Sequence, residues 1–185
     1  MKIAVTGGIG SGKSFVCSKL EQRGFKIYNC DDAAKRIIAS SEKVKNELIK
    51  AVGEDAFLNG KLNNSVLTAF LLKSDDNAKV INGIVHPAVA EDFIKSGDNW
   101  MECAILFSSG FDRLVDKTIC VTAPAEVRIN RIMQRDNISR QRAEEWINKQ
   151  MPQEELVTLC DYEIVNDGLA DLDVRINQIL KSLER

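Results

Sequence analysis

The chain has 185 residues, of which 44% are hydrophobic and 28% are charged, as in an ordinary globular protein. Its 25 Lys and Arg against 27 Asp and Glu leave a formal net charge of -2, which gives no overall reason to expect nucleic acid or an anionic membrane as partner. No apolar run reaches the roughly 20 residues of a membrane span, and the first residues are predicted to form a strand instead of a signal peptide. We therefore expect a cytoplasmic protein.

The cysteines do not follow the spacing of a disulfide framework or a zinc site. They are odd in number and include no C-x-x-C pair; their positions are Cys17, Cys30, Cys103, Cys120 and Cys160. We expect reduced thiols that pack in the core.

Residues 7–14 read GGIGSGKS and fit the phosphate-binding pattern G-x-x-x-x-G-K-[ST]. The apolar strand-like segment 2–6 precedes them and a helical pattern follows, so a glycine-rich turn without function is the weaker alternative. The glycines let backbone N–H groups face an anion at a helix N-terminus. We expect Lys13 on the β- and γ-phosphates of ATP and Ser14 on Mg²⁺. The residues predicted to bind the nucleotide here are Gly8, Gly10, Ser11, Gly12, Lys13, Ser14 and Phe15.

Further strands are predicted at 25–30, 103–107, 118–122 and 162–166, each separated from the next by helical patterns. Alternation of this kind predicts an α/β fold with a doubly wound, five-stranded parallel sheet. Ligands gather at the carboxyl ends of such strands, where Asp31, Ser108 and Asn166 fall beside the phosphate-binding loop.

Two segments are predicted to lie outside the sheet, within a single domain whose core is about 1–31, 100–123 and 157–185. Between 32 and 99 the patterns are helical, with no clear strand, over 33–40, 42–52, 64–72 and 76–84. This insertion is long enough to receive a second substrate. The segment 124–156 is helical and rich in arginine, with Ser139 as a helix cap; its arginines are Arg128, Arg131, Arg135, Arg140 and Arg142.

The motifs present favour a small-molecule kinase. The D-x-x-G and N-K-x-D motifs of GTPases are absent, and the predicted third strand leads to Ser108 instead of the carboxylate that large ATPases place at that strand end. Phosphoryl transfer needs a phosphate cradle, a metal, a group that orients the acceptor, and cations that arrive as the site closes. The loop, Ser14, Asp31 and the arginines of 124–156 match these needs.

The sequence resembles the dephospho-coenzyme A kinase family over nearly its whole length. The matching pieces, in chain order, are TGGIGSGKS at 6–14, Asp31, His86-Pro87, RIMQRD at 131–136, Gln150 and Asn166-Asp167-Gly168. The resemblance implies a kinase of the P-loop type with a helical substrate-binding insertion and a helical lid. It also implies that ATP phosphorylates the ribose 3′-hydroxyl of dephospho-CoA, in the last step of CoA synthesis. We expect the small-molecule substrates dephospho-CoA and ATP as partners, no nucleic acid, no membrane, and a monomer.

The family's roles carry over onto matching residues. Lys13 and Arg131 are expected to stabilise the transferring phosphoryl group, with Arg135 also on the ATP phosphates and Ser14 on Mg²⁺. Asp31 is expected beside the acceptor hydroxyl as base or orienting group, and His86 on the dephospho-CoA moiety. Asn166 and Gly168 would form the adenine-side loop of the ATP site.

Each role has a purely structural alternative. Asp31 could instead cap a helix. The lid arginines could form a solvated basic face, and this alternative has more weight for Arg128, Arg140 and Arg142 than for Arg131. A lone histidine is usually a packed or surface residue, Pro87 is expected to fix a helix start, and N-D-G is a common turn.

The chain also departs from the family pattern. Where many members have P-L-L-F-E after the third strand, residues 104–108 read AILFS, and Asn29-Cys30-Asp31 replaces D-A-D. Another P-loop kinase, for a nucleoside, nucleotide or sugar, is an alternative. A nucleotide-binding regulatory relative without turnover is another, supported only by Ser108.

Overall fold

The computed structural model describes residues 1–184 and divides into two compact units. One consists of Met1–Tyr28 and the chain from Asp98 onward, and the other of Asn29–Gly97. The strands are β1 Ile3–Thr6, β2 Ile27–Asn29, β3 Phe57–Leu58, β4 Lys61–Leu62, β5 Trp100–Glu102, β6 Lys117–Thr122 and β7 Tyr162–Val165. The α-helices are α1 Lys13–Glu21, α2 Cys30–Ser40, α3 Glu42–Val52, α4 Asn64–Leu71, α5 Asp75–Ser96, α6 Ala125–Asp136, α7 Arg140–Asn148, α8 Gln153–Thr158 and α9 Leu172–Leu183.

Five strands form one sheet in the order β2-β5-β1-β6-β7. β1 pairs in parallel with β5 and β6, and β6 pairs in parallel with β7. Apolar runs such as Ile3–Thr6 are buried along their length, as parallel strands covered on both faces require. The predicted α/β fold with a doubly wound five-stranded sheet is confirmed.

The helices α1 and α9 pack against the central strands and bury the main core of this unit. Its buried members include Val16 and Leu20 of α1, Val5 and Ile119 of the sheet, and Ile176 of α9. Because the loop 7–12 joins β1 directly to α1, this core also fixes the position of that loop. Asp171 caps α9 by accepting hydrogen bonds from two backbone N–H groups of its first turn.

The predicted third strand at 103–107 is wrong, because the strand lies just before it, at Trp100–Glu102. The backbone of Trp100 and Met101 pairs with Ile3 and Ala4 of β1, which leaves the next residues to turn away from the sheet. Leu106 is still buried, at 1% exposure. Residues 103–107 are apolar because they form a buried turn. A short apolar run of this kind has the same sequence pattern as a short buried strand.

The second unit is mainly helical, as predicted, but the expectation of no strand in 32–99 is wrong. β3 and β4 form a two-stranded antiparallel hairpin. Asn59 and Gly60 join them with φ values of 51° and 78°. Asn-Gly with both φ angles positive is the preferred two-residue hairpin turn, so the signal was present in the sequence, although each strand has only two residues.

Pro87 lies inside α5 and does not begin a helix, contrary to the prediction. The helix runs for 22 residues from Asp75 to Ser96. Proline removes the hydrogen bond to the carbonyl four residues earlier and crowds that carbonyl. Here that residue is Gly83, and a Cβ built there would meet nothing within 4 Å. The buried side chains of Val85 and Val89 hold the helix on both sides of the proline.

All five cysteines are free thiols, and only Cys160 is not fully buried. Burial raises the pKa of the Cys17 thiol to about 12, so this group stays protonated at neutral pH. Within residues 1–184, no helix combines the length and apolar character that a membrane span would need.

Candidate active site

Two glycines of the loop 7–12 have a left-handed backbone that other residues rarely adopt. Gly10 and Gly12 have φ values of 77° and 89°, and Gly12 is the N-cap of α1 without a side-chain hydrogen bond. The backbone N–H groups of Phe15 and Val16 donate to the carbonyl of Gly12 at 3.1 and 3.2 Å. Because no side chain caps the helix, its positive end is available to a phosphate group.

The Lys13 ammonium is folded against this loop. Its Nζ donates to the carbonyl oxygen of Gly7 at 2.8 Å and to that of Gly8 at 3.3 Å. A positive charge is therefore held at the loop whose N–H groups suit an anion. The expected role of Lys13 toward the β- and γ-phosphates stays a prediction.

Glu102 is a site residue that the sequence reasoning missed. It ends β5, and its Oε1 accepts a hydrogen bond of 3.2 Å from the Ser14 hydroxyl. This carboxylate was missed because the predicted strand was placed at 103–107, which begins after Glu102. The residues Trp100, Met101 and Glu102, apolar and then acidic, were the available signal.

Asn166 and Arg131 hold the other side of the loop. Asn166 is 5% exposed, and its Nδ2 donates to the carbonyl of Ser11 at 2.9 Å. A guanidinium nitrogen of Arg131 donates to the carbonyl of Asn166 at 3.0 Å and approaches those of Gly10 and Ser11 at 3.4 and 3.3 Å. A Cβ at Gly12 would lie 2.1 Å from Asn166 Nδ2, so only glycine fits there.

A cavity of about 610 Å³ opens beside these residues. It is lined by Gly12, Phe15, Lys19, Arg131, Asn166, Gly168, Ala170, Asp171, Leu172 and Asp173. Phe15 is 54% exposed, and the Lys19 ammonium lies 5.4 Å from the centre of its ring. An apolar surface beside a phosphate-binding loop suits a nucleotide base and sugar.

Arg135 lies one turn further along α6 and points to a different partner. Its guanidinium forms an ion pair with Asp136 at 2.7 Å, and this pair raises the pKa of Arg135. Arg135 is not among the residues lining the cavity beside Arg131. Its predicted contact with the ATP phosphates stays a prediction.

A smaller cavity of about 220 Å³ borders the loop at Gly8. Its lining residues are Gly8, Ala104, Ile105, Leu106, Phe107, Ser108, Lys149, Gln150, Met151 and Leu156. The Ser108 hydroxyl donates to the carbonyl of Ile105 at 3.2 Å, within its own turn. Both cavities thus border the loop. Residues 104–108, which differ from the family pattern, line the smaller cavity.

Asp31 is not the N-cap of α2, so its predicted capping alternative is wrong. The helix begins at Cys30, and the side chain of Asn29 caps it by accepting a hydrogen bond from the Asp32 N–H at 3.0 Å. Asp31 occupies the first turn and is exposed. The helix starts earlier than its apolar pattern suggests, and Cys30 and Ala33 of its first turn are buried.

His86 is half-buried on α5, and burial lowers its pKa. The imidazole is therefore neutral at pH 7 and would offer a hydrogen bond to a ligand instead of a charge. A groove of about 580 Å³ in the helical unit is lined by residues of α2, α3 and α5, including Pro87. No group of three or more metal-binding side chains occurs among residues 1–184.

The family model described as dephospho-CoA kinase matches residues 1–171. A dephospho-CoA kinase from Bacteroides fragilis is 38% identical over 190 residues, covering 99% of this chain and 93% of the relative. The crystal structure of TT1252 from Thermus thermophilus matches with a TM-score of 0.85 and 28% identity, over 99% of this chain and 97% of that one. A dephospho-CoA kinase structure from Campylobacter jejuni shares the fold, with a TM-score of 0.69 and 23% identity over the full length of both chains. The chain therefore belongs to the dephospho-CoA kinase family.

Proposed function

We propose that this chain transfers the γ-phosphoryl group of ATP to the ribose 3′-hydroxyl of dephospho-CoA, which gives CoA and ADP. The observation that carries the proposal is the geometry of the loop 7–14, with its ammonium and its uncapped helix end, in a chain that the family model matches over residues 1–171. The substrates are small molecules. We also propose that the protein acts as a cytoplasmic monomer and as one functional domain, with 124–156 as its lid.

The phosphate end of ATP would lie on the loop and the adenosine in the cavity of about 610 Å³. Backbone N–H groups and the Lys13 ammonium would stabilise the charge that spreads over the oxygens of the transferring group. Phe15 offers a ring face for the base, and Gly168 lines the same cavity. Arg131 and Arg135 would add positive charge on the phosphates, since a guanidinium fork can hold two phosphate oxygens.

Ser14 and Glu102 would hold Mg²⁺. A hydroxyl and a carboxylate are hard oxygen ligands, the kind that Mg²⁺ selects together with water and phosphate oxygens. Their hydrogen bond of 3.2 Å supports the fit, because it brings the two oxygens to one place beside the loop. When bound, Mg²⁺ neutralises phosphate charge.

Asp31 would orient the acceptor hydroxyl or take its proton. The residue follows the carboxyl end of β2, and ligands of open parallel sheets gather at such ends. Its exposed carboxylate is free of any capping role, which supports a task toward substrate. His86 would contact the dephospho-CoA moiety as a neutral hydrogen-bonding group.

The test is an assay with ATP, Mg²⁺ and a panel of hydroxyl acceptors that includes dephospho-CoA, nucleosides and sugars. Addition of dephospho-CoA should raise ADP formation, and mass spectrometry should detect CoA. Equal ADP formation with and without dephospho-CoA, and no CoA product, would refute the proposal. Faster turnover of a nucleoside or sugar would favour a different kinase.

Asp31→Asn should lower kcat by roughly 10²-fold or more and leave ATP affinity nearly unchanged, as loss of a general base or orienting carboxylate does. Steady-state kinetics with dephospho-CoA and an ATP titration measure the two effects. Asp32→Asn is the matched control, because it removes the neighbouring carboxylate of the same helical turn. If Asp31→Asn keeps near wild-type kcat and Asp32→Asn does not, the role belongs to Asp32.

Glu102→Gln should raise the Mg²⁺ concentration needed for half-maximal activity by about tenfold, because the amide is a weaker ligand for a hard cation than the carboxylate. A magnesium titration at saturating ATP and acceptor measures this shift. The exposed Glu21 of α1 supplies the control variant Glu21→Gln, which should titrate as the wild type does. An unchanged magnesium dependence in Glu102→Gln would remove Glu102 from the metal site.

A further inference from the structure

The guanidinium of Arg128 is a buried charge with no place in the roles described so far. The side chain lies in the first half of α6 and the residue is 6% exposed. Sequence patterns assign it to a solvated basic face, as they do Arg140 and Arg142, both of which form exposed ion pairs. Among residues 1–184, no carboxylate lies within ion-pair distance of Arg128, and the charge of Glu154 acts on it from farther away. A buried cation without an ion pair is costly unless another anion or set of acceptors compensates it.

The acceptor that Arg128 meets is the phosphate-binding loop itself. Its Nε donates to the carbonyl oxygen of Ile9 at 2.9 Å. The guanidinium is packed tightly on the loop, because a Cβ at Gly8 would lie 2.4 Å from one of its terminal nitrogens. The backbone of the same residue borders Gly10, where a Cβ would lie 2.7 Å from the Arg128 carbonyl oxygen.

The Ile9 peptide is fixed from three directions. Its N–H donates to the Gln150 side chain at 2.7 Å, and its carbonyl accepts from Arg128. Its side chain packs against the cluster of Ile129, Ile132 and Ala143 that joins α6 to α7. The tip of the loop is thus attached to the arginine-rich helices and does not depend on the sheet alone.

The charge of Arg128 acts on the same loop. Burial lowers its pKa, but a guanidinium starts so high that it stays charged at neutral pH. Arg128 contacts the loop through a backbone carbonyl oxygen, as Lys13 and Arg131 do. In a poorly solvated place its field is less screened than that of a surface arginine.

We propose that Arg128 is a positioning residue for the nucleotide, which holds the Ile9 carbonyl and keeps a buried positive charge against the phosphate-binding loop. The inference rests on the proposed use of this loop for ATP. The consequence is that Arg128 favours the nucleotide with more negative charge. Its removal therefore weakens ATP binding more than ADP binding.

The experiment is an ATP and an ADP titration by calorimetry with Mg²⁺ present and no acceptor, on wild type, Arg128→Gln, Arg128→Lys and Arg142→Gln. Arg128→Gln keeps a donor for the Ile9 carbonyl but loses the charge, and should weaken ATP binding about tenfold and ADP binding clearly less. Arg128→Lys keeps the charge and should preserve the wild-type ratio of the two affinities. Arg142→Gln removes an exposed arginine and should change neither.

Two results would overturn the inference. One is that Arg128→Gln loses ATP and ADP affinity equally and also has a lowered melting temperature. That combination is expected if Arg128 has a purely structural role. The other is a changed ratio in Arg128→Lys, which also serves as the deciding variant if Arg128→Gln fails to fold. Because no acceptor is present, these results are independent of the CoA assay. If the wild type makes no CoA but Arg128→Gln still binds ATP more weakly, the inference about Arg128 stands and the proposed function is refuted.

Discussion

Lys13→Ala should lower kcat by roughly 10³-fold or more, since the lysine supplies positive charge to the phosphoryl group in the transition state. The fold should be intact, because the ammonium bonds to the Gly7 and Gly8 carbonyl oxygens of the loop, which precede α1. CoA formation under saturating substrates measures the first effect, and a thermal melt measures the second.

The matched control for this variant is Lys181→Ala, which removes an exposed lysine from the last turn of α9. It should have wild-type kcat. Substantial residual activity in Lys13→Ala with a wild-type melting temperature would contradict the role of Lys13. A melting temperature far below that of Lys181→Ala would instead show that the ammonium is needed to keep the loop in shape.

Arg131→Ala should also lower kcat by roughly 10³-fold, the scale of other arginines that stabilise a transferring phosphoryl group. The structure adds a second expectation, because Arg131 also bonds to the carbonyl of Asn166 beside the loop. We therefore expect a small drop in melting temperature along with the kinetic loss. Rapid kinetics with dephospho-CoA and a thermal melt separate the two effects.

Arg142→Ala is the control, because Arg142 sits on the neighbouring helix in an exposed pair with Glu145. Arg131→Lys decides between the two tasks. If the charge alone matters, the lysine variant should recover much of kcat; if the planar fork matters, it should not. Near wild-type kcat in Arg131→Ala would leave Arg131 as a structural partner of Asn166 only.

Much of this protein could be predicted from local patterns. The loop 7–14 is a local motif whose glycines and lysine act through backbone positions close in sequence, so its structure and placement between β1 and α1 follow from the residues themselves. The parallel sheet follows from alternating apolar strands and helices. The resemblance to dephospho-CoA kinases rests on several short motifs in a fixed order, and the family match over residues 1–171 bears it out.

Local patterns were less informative where packing decides the outcome. Residues 103–107 are apolar enough for a strand, yet they form a turn because β1 pairs with Trp100 and Met101 instead. Pro87 ordinarily marks a helix start, but packing of α5 on both sides carries the helix through it. In each case the local preference is weak compared with the burial of neighbouring side chains.

The sequence by itself determined the phosphate-binding loop, the fold class and the family, because each depends on residues close in sequence or on repeated patterns. Only the tertiary structure decided which distant side chains support the loop. Glu102 meets Ser14 across 88 positions and Arg128 meets Ile9 across 119. These contacts arise because parallel strands end at the same edge of the sheet and α6 packs against the loop there, and no pattern within a short stretch of sequence records such long-range pairing.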